Sequence, residues 1–144
     1  MDVKSSLIIY RSASAVFTFI RKPDQFARWA DTVVSAEFIE PVPIRRGTQF
    51  QAVQSILGLP VLNVDYSVVE FEENYRISVS GVSRRFRSRL SLTLSAADTG
   101  VRLTARAQIQ ADGLLRAIEP LLVPAVTSAL HNSLDHLKNI LEKV

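Results

Sequence analysis

The sequence predicts an α+β fold: a strongly curved antiparallel sheet of about seven strands around a long C-terminal helix that covers its apolar face. Three observations carry this expectation. Residues 33–110 alternate between polar and apolar with period two, cut into short runs by turn residues. From Asp112 onward the apolar period changes to about 3.6. Ahead of both, one strand-like run is followed by two short helical patterns.

Val3–Tyr10, with Leu7, Ile8, Ile9 and Tyr10, is β-rich and reads as the first strand. Ser12 suits the N-cap of a short helix whose apolar stripe is Val16, Phe17 and Ile20. Pro23 breaks that helix and fits the first turn of a second, with Asp24 near its positive end and Phe26, Trp29 and Ala30 as its buried face. Six strands follow: Val33–Glu40, Thr48–Ile56, Val61–Phe71, Tyr75–Gly81, Arg84–Ala96 and Val101–Gln110. The breaks "PVPIRRG", "GLP", "EEN", "GVS" and "ADTG" are short and rich in turn formers, which implies sequential antiparallel hairpins. Leu115, Ile118, Leu122, Val126, Leu130, Leu134, Leu137 and Leu141 then form one long stripe. Pro120 and Pro124 interrupt its first half, so the expectation is an irregular start and a regular helix from about Ala125.

At 144 residues, 47% hydrophobic and 22% charged, residues 1–144 are expected to form one globular domain. The formal net charge of +3 is concentrated in one hairpin, which permits anionic partners without requiring them. With no cysteine, disulfides, cysteine zinc sites and thiol catalysis are excluded. The N-terminus does not read as a signal peptide, and no apolar run approaches the roughly 18 residues of a membrane span, so the cytoplasm is the expected compartment. His131 and His136 are five apart, which is not the spacing that places two metal ligands on one helical face. The scattered glycines make no phosphate loop. Neither a metal nor a cofactor is expected.

The order of elements and several spaced residues resemble the START-like or SRPBCC superfamily, the helix-grip fold, and in particular its polyketide cyclase/dehydrase-type lipid-binding branch. Ile9 followed by Val16-Phe17 looks like the family's entry from strand to helix. "DQFARWADTVVSAEFIE" resembles its short second helix, Gly47 the glycine opening the next hairpin strand, and "VVEFEENYRISVSG" its central strand pair. "DTGVRLT" and "LDHLKNILE" are similar to its last turn and final helix. Arg11-Ser12 stands where many members have small residues or Pro. The resemblance implies a deep apolar cavity between sheet and helix. It does not imply one chemistry, because such folds host lipid, quinone and hormone carriers as well as polyketide aromatase/cyclases.

The stretch Arg84–Gln110 holds six of the thirteen arginines. Phe86, Ser88, Leu90, Leu92 and Leu94 share one strand face with Val101, Leu103, Ala105, Ala107 and Ile109 of the return strand. A register placing Leu94 opposite Leu103 also sets Ser91 opposite Arg106 and Arg89 opposite Gln108. The arginines then form a wet convex face. Arg85, Arg87, Arg89, Arg102 and Arg106 are the candidate anion or partner patch. Nucleic acid is not the expected partner, because the outward positions carry no aromatic stacking platform.

The candidate cavity residues are Phe26, Trp29, Val69, Ile77, Val79, Phe86, Leu90, Leu92, Leu103, Ala105, Leu121, Leu122, Val126 and Leu130. The kinked "LLRAIEPLLVPAV" is the candidate gate. Two alternatives stay open in the strand Val61–Phe71. Strict alternation from Phe71 and Val69 carries Asp65 inward; a bulge puts Tyr66 inside instead. Either residue is the candidate acid/base of an enzyme. The expected function is binding and sequestration or transport of a hydrophobic small molecule, such as a lipid, quinone or polyketide-like compound. The alternatives are a polyketide cyclase/aromatase-type enzyme using the same cavity and a partner-binding module using the arginine face.

Overall fold

The computed structural model describes residues 1–40, 42–55 and 62–143. Seven antiparallel strands form one sheet: β1 (Asp2–Ile9), β2 (Val33–Phe38), β3 (Gln49–Gln54), β4 (Leu62–Glu72), β5 (Arg76–Val82), β6 (Phe86–Ala96) and β7 (Val101–Ala111). Their spatial order is β1-β7-β6-β5-β4-β3-β2. Consecutive strands from β2 to β7 are neighbours, as short turns require, whereas β1 lies at the far edge beside β7. The chain therefore crosses from one edge to the other between β1 and β2.

That crossing is made by α1 (Ala13–Ile20), a 3₁₀ turn at Pro23–Gln25 and α2 (Phe26–Trp29). Ser12 caps α1, its Oγ accepting from Ala15 N at 3.1 Å. Val16, Phe17 and Ile20 are buried, as the stripe predicts. At the C-terminal end, α3 (Gly113–Ala117) precedes α4 (Glu119–Glu142). This corrects the expected start near Ala125. Pro120 falls in the first helical turn, where its missing N–H has no intrahelical partner to lose. Pro124 forfeits only the bond to the carbonyl of Pro120, and both prolines are exposed, so water can replace it. The side chain of Leu115 lies outside the described residues, as do Ile56, the "GLP" turn, Val61, Pro41 and the side chain of Leu62.

The β6–β7 register is the one read from the sequence: Leu94 faces Leu103, Ser91 faces Arg106, and Arg89 faces Gln108. One concave face collects the apolar side chains, and α4 covers it. Leu122, Val126, Leu134, Leu137 and Leu141 of α4 are buried. No helix among the described residues is long and apolar enough to cross a membrane.

Candidate ligand cavity

The β4–β5 pairing decides which polar residue faces α4. The register slips between Val68 and Glu70, so that Val68 rather than Val69 stands opposite Val79. Beyond the bulge every side chain changes face. Val64, Tyr66 and Val68 point in and are buried, while Asp65 is exposed and accepts a hydrogen bond from Gln51 Nε2 at 3.0 Å. The bulged alternative is thus the one adopted. Asp65 is removed from the inward-facing candidates, because a carboxylate on the wet face remains hydrated.

A single row runs across the sheet beneath α4. Phe38 faces Phe50, Phe50 faces Tyr66, Tyr66 faces Gly81, Gly81 faces Ser88, and Ser88 faces Ile109. Phe38, Phe50 and Tyr66 stack, with centroids 4.4 and 5.0 Å apart. The row then has a gap at Gly81. A Cβ there would lie 2.5 Å from Tyr66 Cε1 and 2.7 Å from Ser88 Oγ. Only glycine leaves room at position 81 for the Tyr66 ring and the Ser88 hydroxyl to close over the backbone from either side. The Tyr66 hydroxyl also accepts from Gln54 Nε2 at 2.7 Å, with both residues buried. Burial pushes the Tyr66 phenol up to about 12, against the smaller downward pull of Gln54 and Ser88.

Between this row and α4 lies a cavity of about 120 Å³. Its roof is Val126, Ala129, Leu130, Ser133 and Leu134 of α4, and α2 contributes Phe26 and Trp29. Its floor includes Leu90, Leu92, Ala105 and Ala107. The hollow has a simple origin: alanines at 105 and 107 stand where β7 carries Leu103 one turn of the pleat earlier. Apart from Thr32, Gln54, Tyr66, Ser88, Arg89 and Ser133, the wall is apolar. Ser133 is already used, accepting from Asp31 N and donating to Ala129 O, both at 2.8 Å.

Of the residues expected at the cavity, Phe26, Trp29, Val79, Phe86, Leu90, Leu92, Ala105, Val126 and Leu130 border it. Ile77, Leu103 and Leu122 are buried in the solid core instead. Val69 is the bulge residue and only half-buried. Leu121 is 69% exposed, because it falls on the solvent side of α4, off the Leu122–Val126 stripe, and cannot line the cavity. Gln54 and Ser88 were not singled out by the sequence. Ser88 sits on the predicted dry face, and its place beside Tyr66 across Gly81 follows only from two successive strand registers. His131 is exposed and lies 3.3 Å from Asp135, away from the cavity wall.

The convex arginine face divides in two. Arg89 pairs with Glu70, to which the Ser78 hydroxyl donates at 2.8 Å, and Arg76 Nη1 lies 3.9 Å from the same carboxylate. Arg106 makes a two-point contact with Asp2. These partners hold the Glu70 carboxyl, through Ser78 and then Arg89, and the Asp2 carboxyl, through Arg106, below the usual carboxylate range. Arg85, Arg87 and Arg102 are exposed, and no acid among the described residues pairs with them.

Residues 1–142 match the pattern of a family described as "Polyketide cyclase / dehydrase and lipid transport". No curated protein matches the sequence. The fold is similar to that of a Thermus thermophilus protein, with a TM-score of 0.85, 12% identity, and 99% of this chain and 98% of that one covered. It is also similar to a conserved protein of Geobacillus kaustophilus, with a TM-score of 0.79, 13% identity and coverage of 99% and 96%. Ara h 8.0201 matches over 100% of this chain and 99% of its own, with a TM-score of 0.74 and 11% identity.

Proposed function

We propose, for a chain that belongs to the polyketide cyclase / dehydrase and lipid transport family, that it binds a hydrophobic small molecule in the cavity under α4 and thereby sequesters or carries it. The observation that carries this reading is the apolar hollow itself, floored by Ala105 and Ala107 and roofed by Val126 and Leu130. Well-packed interiors contain few voids of this size. An empty apolar void also costs stability that a bound ligand restores. At about 120 Å³ the hollow is below the roughly 300 Å³ of a drug-sized site and near the roughly 150 Å³ of a cavity that admits benzene. A group of single-ring size fits it as it stands. Burying about 150 Å² of such a ring is worth about 4 kcal/mol before the costs of association.

The enzymatic alternative retains Tyr66 as its candidate, but a phenol pushed up to about 12 stays protonated at neutral pH and donates rather than abstracts a proton. Binding is the favoured reading because it needs nothing beyond the apolar hollow.

Trp29 is the only tryptophan and lines the cavity, so its fluorescence reports occupancy. An apolar monocyclic ligand such as toluene is expected to shift that emission saturably in the wild type. In Ala105→Leu, which fills the floor, the shift should vanish while the fold is kept. Equal titrations of the two proteins would sink the reading. Native mass spectrometry of protein from its own host would then identify any co-purified ligand.

A further inference from the structure

A second hollow, on the outer surface, is charged where the first is apolar. It is an open groove of about 800 Å³ between α1 and the last turns of α4. Among the described residues four cations border it, Arg11, Lys22, Arg28 and Lys143, and no Asp or Glu does. Lys22, Arg28 and Lys143 are exposed and form no ion pair among the described residues. Arg28 Nη1 donates to the neutral Gln25 Oε1 at 2.7 Å, and Lys22 Nζ lies 5.9 Å from the centroid of the Phe19 ring. Of the acids next to these cations in sequence, Asp24 does not border the groove, and Glu142 is engaged elsewhere. The Glu142 carboxylate accepts from Lys138 Nζ at 2.7 Å and from Tyr10 N at 2.9 Å.

The charges sit at two ends. Arg11 Nη1 donates to Leu141 O at 2.7 Å, which brings Arg11 beside the segment that carries Lys143. Lys22 and Arg28 lie past the other end of α1, on either side of the 3₁₀ turn. With eight residues α1 is about 12 Å long, too far for one phosphate or one carboxylate to bridge. Between the ends the floor is apolar: Ala15 and Phe19 of α1 and Ile140 of α4, all half-buried. A concave groove between helices with apolar anchor points is a recurrent way of receiving a peptide, and complementary charge at its rim fixes orientation. A flat lipid surface does not enter such a groove, and a single half-buried ring is a poor stacking platform for a nucleic-acid strand.

We propose that this groove docks an acidic amphipathic segment of a protein partner, its apolar side chains on Ala15, Phe19 and Ile140 and its carboxylates at the two basic ends. The site is independent of what the hollow under α4 holds. It does touch the fastening of that helix, because Arg11 and Leu141, which are bonded to each other, both line the groove.

The test uses the full chain and a capped synthetic peptide, Glu-Glu-Leu-Ala-Ala-Leu-Glu-Glu, titrated by backbone-amide NMR. Saturable binding is expected, with shifts centred on Ser14, Thr18, Phe19 and Asn139, and it should weaken as salt is raised. The peptide with Gln for every Glu, and the one with Ser for both Leu, should each bind at least several-fold more weakly. Lys22→Glu/Arg28→Glu should weaken binding by about ten-fold or more. Arg85→Glu/Arg87→Glu makes the same change in net charge at exposed positions away from the groove and should leave binding within about two-fold. A thermal melt checks that both double variants fold, and Lys22→Gln/Arg28→Gln is the milder form if the first does not. No saturable binding, shifts outside the groove, equal losses in the two double variants, a Gln or Ser peptide that binds as well as the parent, or oligouridylate that binds more tightly than the peptide would each overturn the proposal. None of these results bears on toluene binding in the hollow under α4.

Discussion

The two ends of α4 cover the same sheet and do opposite things with it. At the C-terminal end Leu137 and Leu141 are almost wholly buried and share a core cluster with Ile9, Val16, Phe17 and Leu103. At the other end Val126 and Leu130 roof a hollow over Ala105 and Ala107. The helix repeats its apolar stripe along its whole length, so the stripe does not make the difference. What faces it does: Ile9 of β1, Val16 and Phe17 of α1 and Leu103 of β7 at the solid end, Ala105 and Ala107 of β7 at the hollow. Stability and binding are in this way assigned to different parts of one core.

The largest expected effect tests the solid end. Leu137→Ala removes a side chain with no exposure and should cost about 2–5 kcal/mol in urea unfolding. Leu130→Ala, only half-buried over the hollow, should cost much less. Equal losses would erase the distinction between the two ends.

The next prediction concerns the polar group of the hollow end. Tyr66 has its phenol raised from 10.0 to about 12 by burial. In the unfolded chain it ionises first, so its contribution is complete below pH 10 and is lost as pH rises toward 12. That difference is on the order of 2–3 kcal/mol, and Tyr66→Phe should flatten this alkaline limb of the stability curve.

Two alanines sharpen the contrast further. Ala52 and Ala105 are each 1% exposed, but only Ala105 borders the cavity. Ala52→Leu should overpack and destabilise by about 1–3 kcal/mol, whereas Ala105→Leu should stay within about 1 kcal/mol of wild type. Thermal melts of the pair decide it.

The smallest effect lies outside both ends. Glu70 is held below its ordinary value of 4.5 by Ser78 and Arg89. Its contribution is present above that ordinary value and fades as pH falls through the lower folded-state value. Glu70→Gln should make acid unfolding slightly less steep.

Much of the fold could be read from the sequence because its signals are local. Alternation marks the strands, "ADTG" fixes the β6–β7 register, and Ser12 announces α1. The site was less legible because it depends on registers added across several strands. Reaching Ser88 from Tyr66 needs the β4–β5 and β5–β6 pairings and the gap at Gly81. The bulge at Val69 is one residue long and leaves no composition signature, yet it exchanges Asp65 for Tyr66 inside. Leu121 was misplaced for a related reason: Pro120 and Pro124 obscure the helical phase of the segment they occupy, and the phase alone separates Leu121 from Leu122.

The way α4 is fastened has a mechanical side. Near its C-terminal end Lys138 Nζ donates to Ile8 O at 2.6 Å, Glu142 accepts from Tyr10 N at 2.9 Å, and Leu141 O accepts from Arg11 Nη1 at 2.7 Å. Midway, Ser133 Oγ accepts from Asp31 N at 2.8 Å, and at the opposite end an ion pair joins Glu119 to the Met1 ammonium while Leu122 is buried in the core. A helix of 24 residues is a rod about 36 Å long. By geometry alone, a tilt of about 5° about its C-terminal end would carry the far tip by about 3 Å. The roof of the hollow lies between these fastenings, on the side away from the three-bond clamp, so a small angular change at that clamp would be felt at the cavity.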